Sequence, residues 1–428
     1  MKSILNDLSE LVERNVITNN TADIIKQYYQ QKQEHQPNRL LTVFGVLGSA
    51  LVGLGIILIL AHNWDNFSKG LKTMFAFLPL VIGQAIAGYS ILKSKNQSWK
   101  ESSGTFIFFA FGACMAIVSQ IYNIPGDLGN YLLTWTLLGL PLIYVLNSNT
   151  IAVLSIVFAT YYACVVGYSF GDGSNPPWWY LVLLIGTIPY YVKQFKADAS
   201  GNISTVLNWL YAISLAIVLA TFIDNNWPLV FMMYAMLFGI FYNLGKTKPY
   251  EALQLRRNSF SIIGSLGIVV LLMILTFNVV WKEIFREQIL VLSQEWYISM
   301  LLFIIALLLL FNSIRHKKNN KFNLFQFAFL IFAFIFVIGG TLEGLGVVLS
   351  NILIVALGLF ALKIGADSMR FSVLNFGLLI ISTVIICRFF DTNMSFVLRG
   401  ILFVLVGIGF FIANYLMLKR QKCLTNQS

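Results

Sequence analysis

Residues 40–61, LLTVFGVLGSALVGLGIILILA, contain no charged side chain and end in the polar cluster His62-Asn63-Trp64-Asp65-Asn66. A helix of that length rises about 33 Å, enough to cross a bilayer core of about 30 Å. In lipid every backbone polar group needs a partner within its own segment or a closed ladder, so only helices and closed barrels span membranes. The remaining chain repeats one plan: an apolar run, a short loop carrying an acid, and an apolar run back. These runs are solid rather than alternating, which excludes a barrel.

Composition agrees. The 428 residues are 58% hydrophobic and only 11% charged, against roughly 25% charged in soluble domains. The fold class is therefore all-α, a polytopic integral membrane bundle with about 14 transmembrane helices over residues 40–418. A short cytosolic helical region, 1–39, precedes it and a basic cytosolic tail, 419–428, follows it. Residues 260–281 read as one uninterrupted span, and residues 282–295 as an amphipathic helix lying on the outer surface.

The formal net charge of +11 does not indicate a nucleic-acid partner, because the basic residues are spread over many short loops. With the N-terminus inside, 23 of the 29 Lys and Arg fall on cytosolic segments and 6 on the other side. That bias sets an N-in, C-in topology with an even number of spans. It makes 40–61 an uncleaved signal-anchor with its N-terminal flank on the cytosolic side. In the N-terminal region, Ile4, Leu5, Leu8, Leu11 and Val12 recur at helical spacing, and Ile24, Ile25, Tyr28 and Tyr29 mark a second helix. Such a hairpin either packs on the membrane domain or docks a cytosolic protein partner.

Functional residues are sparse. The outer loops gather Asn63, Trp64 and Asp65 with Asn123 and Asp127, aromatic and amide-carboxylate groups suited to a sugar or lipid headgroup or to an ordinary interfacial belt. Asp65 and Asp127 are expected to lie near each other there. Inside the spans, Gln84 and Gln120 are polar candidates, and Arg399 sits about a turn into its span. Gly45, Ser49 and Gly53, four residues apart, form a stripe of small side chains for close helix packing. The histidines, His35, His62 and His316, are scattered, and the four cysteines have no metal-ligand spacing. No nucleophile elbow or phosphate-binding glycine loop is present. No catalytic residue, metal or cofactor is read from the sequence.

The stretches GVLGSALVGLGIILILAHNWDN, GACMAIVSQIYNIPGD and YLLTWTLLGLPLIYVL resemble the bacterial predicted membrane proteins grouped as domain of unknown function 2157. Asn63, Trp64, Asp65, Gln120, Tyr122, Gly126 and Asp127 carry the resemblance, which spans roughly the first 165 residues. It implies a short cytosolic helical region, a Gly-rich first span ending in Asn-Trp-Asp, and no established activity. Two readings stand open. One is a transporter-like or flippase-like protein for a neutral or amphiphilic substrate. The other is a non-transport scaffold or sensor acting through the cytosolic hairpin.

Overall fold

A computed structural model describes residues 8, 11–14, 16–34, 39–62, 67–168, 176–223, 226–286, 290, 292–315, 323–342, 344–391, 401, 404, 407–409, 411 and 415. Among these the secondary structure is helical throughout. In chain order the helices are α1 (Asn19–Glu34), α2 (Arg39–His62), α3 (Lys69–Leu92), α4 (Gln97–Tyr122), α5 (Leu128–Leu146), α6 (Asn149–Gly167), α7 (Trp179–Ala197) and α8 (Asn202–Leu219). They continue as α9 (Trp227–Leu244), α10 (Lys248–Glu251), α11 (Ser259–Ile274), α12 (Asn278–Ile284), α13 (Gln294–Arg315), α14 (Leu324–Thr341), α15 (Leu345–Asp367) and α16 (Phe371–Asp391).

Among the described residues, 10 helices are long and apolar enough to cross a membrane, or up to 11 counting one bent pair as a span. The expectation of about 14 differs for physical reasons. The helix α7 occurs where a span is expected, but its last turns carry Lys193, Gln194 and Lys196 and dilute its apolar character. The described apolar part of α2 is Val43–Val52, and most of the expected last span, 396–418, lies outside the described residues.

The expected span at 260–281 is corrected. It is two helices, α11 and α12, meeting at 91°. The 16 residues of α11 rise only about 24 Å, short of a full crossing. The turned segment also begins earlier than the surface helix expected from residue 282, because Trp281 does not end a span. It is buried, stacks on Phe285 at 5.6 Å, and its indole N–H donates to the Leu275 carbonyl at 2.6 Å. Gly339 and Gly346 make room for that indole: a Cβ at either would stand 2.3 or 2.7 Å from the ring.

The chain packs as two units. One comprises Met1–Ala159 with Leu181–Tyr190, the other Thr160–Tyr180 with Tyr191–Ser428, so α6 and α7 contribute residues to each. In the first an aromatic cluster gathers round the half-buried Trp135, whose ring meets Phe108 and Phe158 at 5.7 and 4.7 Å. Gly112 and Gly139 let α4 and α5 approach around those rings. In the second unit one continuous apolar core runs through α9, α11, α14, α15 and α16, with Phe329, Phe332 and Leu357 fully enclosed.

Candidate functional site

The outer-face residues Asn63, Trp64 and Asp65 lie outside the described residues. Asn123 and Asp127 bracket the loop between α4 and α5, and each terminates a helix. Asn123 takes the left-handed conformation, φ 49°, that closes α4. Asp127 caps α5, its carboxylate accepting the Asn130 backbone N–H at 2.8 Å and the Asn130 side-chain N–H at 2.5 Å. The backbone bond from Asn130 holds the exposed Asp127 carboxyl below the usual carboxylate range. Both residues are exposed, and their polar groups are available to the surroundings as well as to the caps.

The in-membrane amides are not brought together. Thr73 meets Tyr122 at 3.2 Å, and Gly83 lies against Phe106 and Ile107. This antiparallel register puts Gln120 near the end of the α3–α4 pair where Thr73 meets Tyr122 and Gln84 past its middle, roughly 20 Å apart at 1.5 Å per residue. Both are exposed. Arg399 lies outside the described residues. In the small-residue stripe, Gly45 stands against Ser102, where an added Cβ would lie 2.5 Å from the hydroxyl. Ser49 donates back to the Gly45 carbonyl at 2.7 Å; the side-chain surroundings of Gly53 are outside the description.

Two polar nodes join residues that sequence reading does not bring together. In the first unit, Glu101 is 3% exposed. Its carboxylate accepts the Ser148 hydroxyl, the backbone N–H groups of Asn149 and Thr150 at 2.9 and 3.0 Å, and the Gln97 amide at 3.1 Å. It thereby caps the start of α6, where free N–H groups and the helix dipole favour an anion. The signal was present in Asn147-Ser148-Asn149, a turn sequence between two apolar runs, and in one acid early in α4.

In the second unit the break between α11 and α12 leaves carbonyls without helical partners. Arg388, from α16, donates to the Thr276 carbonyl at 2.8 Å and to its hydroxyl at 3.1 Å, and its guanidinium lies 5.0 Å from the centre of the Phe277 ring. Asn351, from α15, donates to the same carbonyl at 3.3 Å. Side chains from two helices thus converge on one buried threonine: a cation from α16 and an amide from α15 meet its carbonyl, and the cation also meets its hydroxyl. No spacing rule in the sequence links positions 112 residues apart.

Further neutral contacts link spans within this unit. Asn243 and Gln326 exchange hydrogen bonds at 3.1 and 3.3 Å, and Asn208 accepts the Tyr191 hydroxyl at 2.5 Å.

Residues 9–152 match the model of a family described as "Predicted membrane protein (DUF2157)". The match includes Asn63 to Asp127 and the Glu101-capped turn, in line with the motifs read from the sequence. No curated protein and no solved structure matches the chain. With its apolar helices, the chain is a multi-pass helical membrane protein.

Proposed function

We propose that the protein moves a neutral or amphiphilic substrate, such as a sugar or a lipid-linked sugar, across or between the leaflets of a bacterial cytoplasmic membrane. In this reading it has about 14 spans with both termini cytosolic, and the 1–39 region and 419–428 tail flank the membrane domain at 40–418. The observation that carries the reading is the 91° break between α11 and α12. Broken helices at membrane depth place unwound backbone groups where a substrate can use them. Here Thr276 supplies acceptors while Arg388 and Asn351 supply donors, the complement a polyhydroxyl headgroup requires. Exchange of these bonds for substrate bonds would loosen the tie between α11, α15 and α16.

The test is translocation of fluorescent glycolipid and phospholipid in proteoliposomes, read by loss of signal to a membrane-impermeant quencher. The native protein should accelerate flipping of at least one. Arg388→Lys keeps the charge but lacks the planar fork, and should slow it about tenfold, as for loss of one charge-assisted hydrogen bond. A native protein that moves neither lipid, or a lysine variant working at the native rate, overturns the reading.

The scaffold or sensor reading draws on the N-terminal region, where Val16 and Ile24 are 63% and 60% exposed. It calls for a protein partner whose co-purification is lost on deleting residues 1–34.

A further inference from the structure

The loop after α9 is tied down by one asparagine. Asn258 donates from its amide to the Gly245 and Tyr250 carbonyls at 2.8 and 3.0 Å, and accepts the Ser261 N–H at 3.0 Å. Gly245 is required there, since an added Cβ would stand 2.7 Å from the Ser261 backbone nitrogen. On this frame sits a cleft of about 180 Å³ lined by Lys246, Thr247, Lys248, Glu251, Asn312 and Ser313. Sites for drug-sized ligands run to roughly 300–1,000 Å³, so this cleft suits one small group rather than a whole nucleotide or sugar chain.

Its chemistry is biased toward an anion. Two ammonium groups and one carboxylate line it, and Arg370 adds its positive field at Lys246. Burial pushes the Lys246 ammonium below the usual lysine range; Glu251 pulls it back up and Arg370 lowers it further. The Lys246 ammonium rests 5.1 Å from the centre of the Tyr242 ring, whose hydroxyl accepts from Asn323 at 3.0 Å. At the floor, Ser313 is 4% exposed and its oxygen accepts the Gln326 amide at 2.8 Å. That bond occupies an acceptor site and leaves the hydroxyl hydrogen to donate. The distribution of Lys and Arg along the sequence assigns this loop to the cytosolic side, the side on which anionic headgroups attract basic pockets.

We propose that this cleft binds a phosphate group, with Lys246 and Lys248 as its charge partners and Ser313 and Asn312 as hydrogen-bond donors. The phosphate belongs either to the headgroup of an anionic phospholipid or to a free phosphomonoester. This site is independent of the transport reading and stands or falls without it.

The experiment uses the full chain. Lipid adducts are counted by native mass spectrometry after exposure to phosphatidylglycerol or phosphatidylcholine, and thermal stabilisation is measured in lipid-free detergent with glycerol 3-phosphate or glycerol. Binding of phosphatidylglycerol over phosphatidylcholine identifies a lipid headgroup; stabilisation by glycerol 3-phosphate over glycerol identifies a free phosphomonoester. The double variant Lys246→Gln/Lys248→Gln should weaken the preferred ligand about thirtyfold, from two lysines near a phosphate. Lys93→Gln/Lys95→Gln removes equal charge from another loop and should leave binding intact. Should the first pair fail to fold, Lys248→Gln alone, at an exposed position, and Ser313→Ala carry the test, each weakening binding severalfold. Equal losses in both double variants, native binding by Lys248→Gln and Ser313→Ala, or no preference for either phosphate ligand overturns the proposal.

Discussion

The turn between α5 and α6 and the break between α11 and α12 pose the same problem with opposite sign. At Ser148–Thr150 a helix begins, and its free groups are N–H donors; the chain supplies Glu101. At Leu275–Phe277 a helix ends, and its free groups are carbonyls; the chain supplies Arg388, Asn351 and the Trp281 indole. Each charge also suits the sign of the helix dipole it meets. The solutions differ in reach. The acid comes from α4, the neighbour that faces the turn, while the base crosses from α16, 112 residues away in sequence. In an apolar medium an unsatisfied backbone group costs several kcal/mol. A charged residue in such a core is therefore first a structural partner for backbone, and becomes functional where its bonds can be exchanged.

Removing the acid should have the larger effect. Glu101→Ala leaves two backbone N–H groups and a hydroxyl without their acceptor, a destabilisation of about 3–5 kcal/mol. It should appear as a lower midpoint in SDS unfolding from mixed micelles. Glu101→Gln keeps an acceptor oxygen and should recover more than half of that loss. Equal midpoints for native protein and Glu101→Ala would show that the turn is held by other contacts.

Arg388→Ala should cost less, about 2–3 kcal/mol in the same assay, because Asn351 still reaches the Thr276 carbonyl. A larger loss than that of Glu101→Ala would reverse the ranking and make the break the weaker joint. Combining Arg388→Ala with Asn351→Ala should exceed the sum of the singles, since both donate to one oxygen.

The comparison also marks how far the sequence can be read. Long uncharged runs such as 345–362 force helices because lipid admits little else, and the helices α14, α15 and α16 appear where such runs stand. The polar triplet Asn147-Ser148-Asn149 between two apolar runs is a true turn, with Asn147 left-handed at φ 51°. Gly339, Gly340 and Thr341 belong to the last turn of α14, and Gly344, at φ 81°, precedes α15. The break at Leu275–Phe277 was not legible: LLMILTFNVVW contains no proline or glycine, and its cause is Trp281 folding back onto the Leu275 carbonyl between two glycines more than fifty residues downstream. Local pattern reports which segments are apolar. It does not report which distant side chain will satisfy a freed carbonyl, and the Arg388 node and the Lys246 cleft both arise from such tertiary meetings.

Asp127 sharpens the comparison from the solvent side. It caps α5 as Glu101 caps α6, but in an exposed loop where water can replace a lost acceptor. Asp127→Ala should therefore cost only about 0.5–1 kcal/mol, and Asp127→Asn, an equally good cap, close to nothing. The sign of the pH effect follows from the depressed carboxyl. Stability from the ionised cap is complete above the unfolded value of about 3.9 and is lost as pH falls through the lower folded value. The native protein should then lose more stability on acidification than Asp127→Asn, by a small margin, read as the difference between their midpoints at neutral and acid pH. If Asp127→Asn is neutral for stability yet impairs translocation, the carboxylate serves the substrate as well as the helix. If both properties are unchanged, its work ends at the cap.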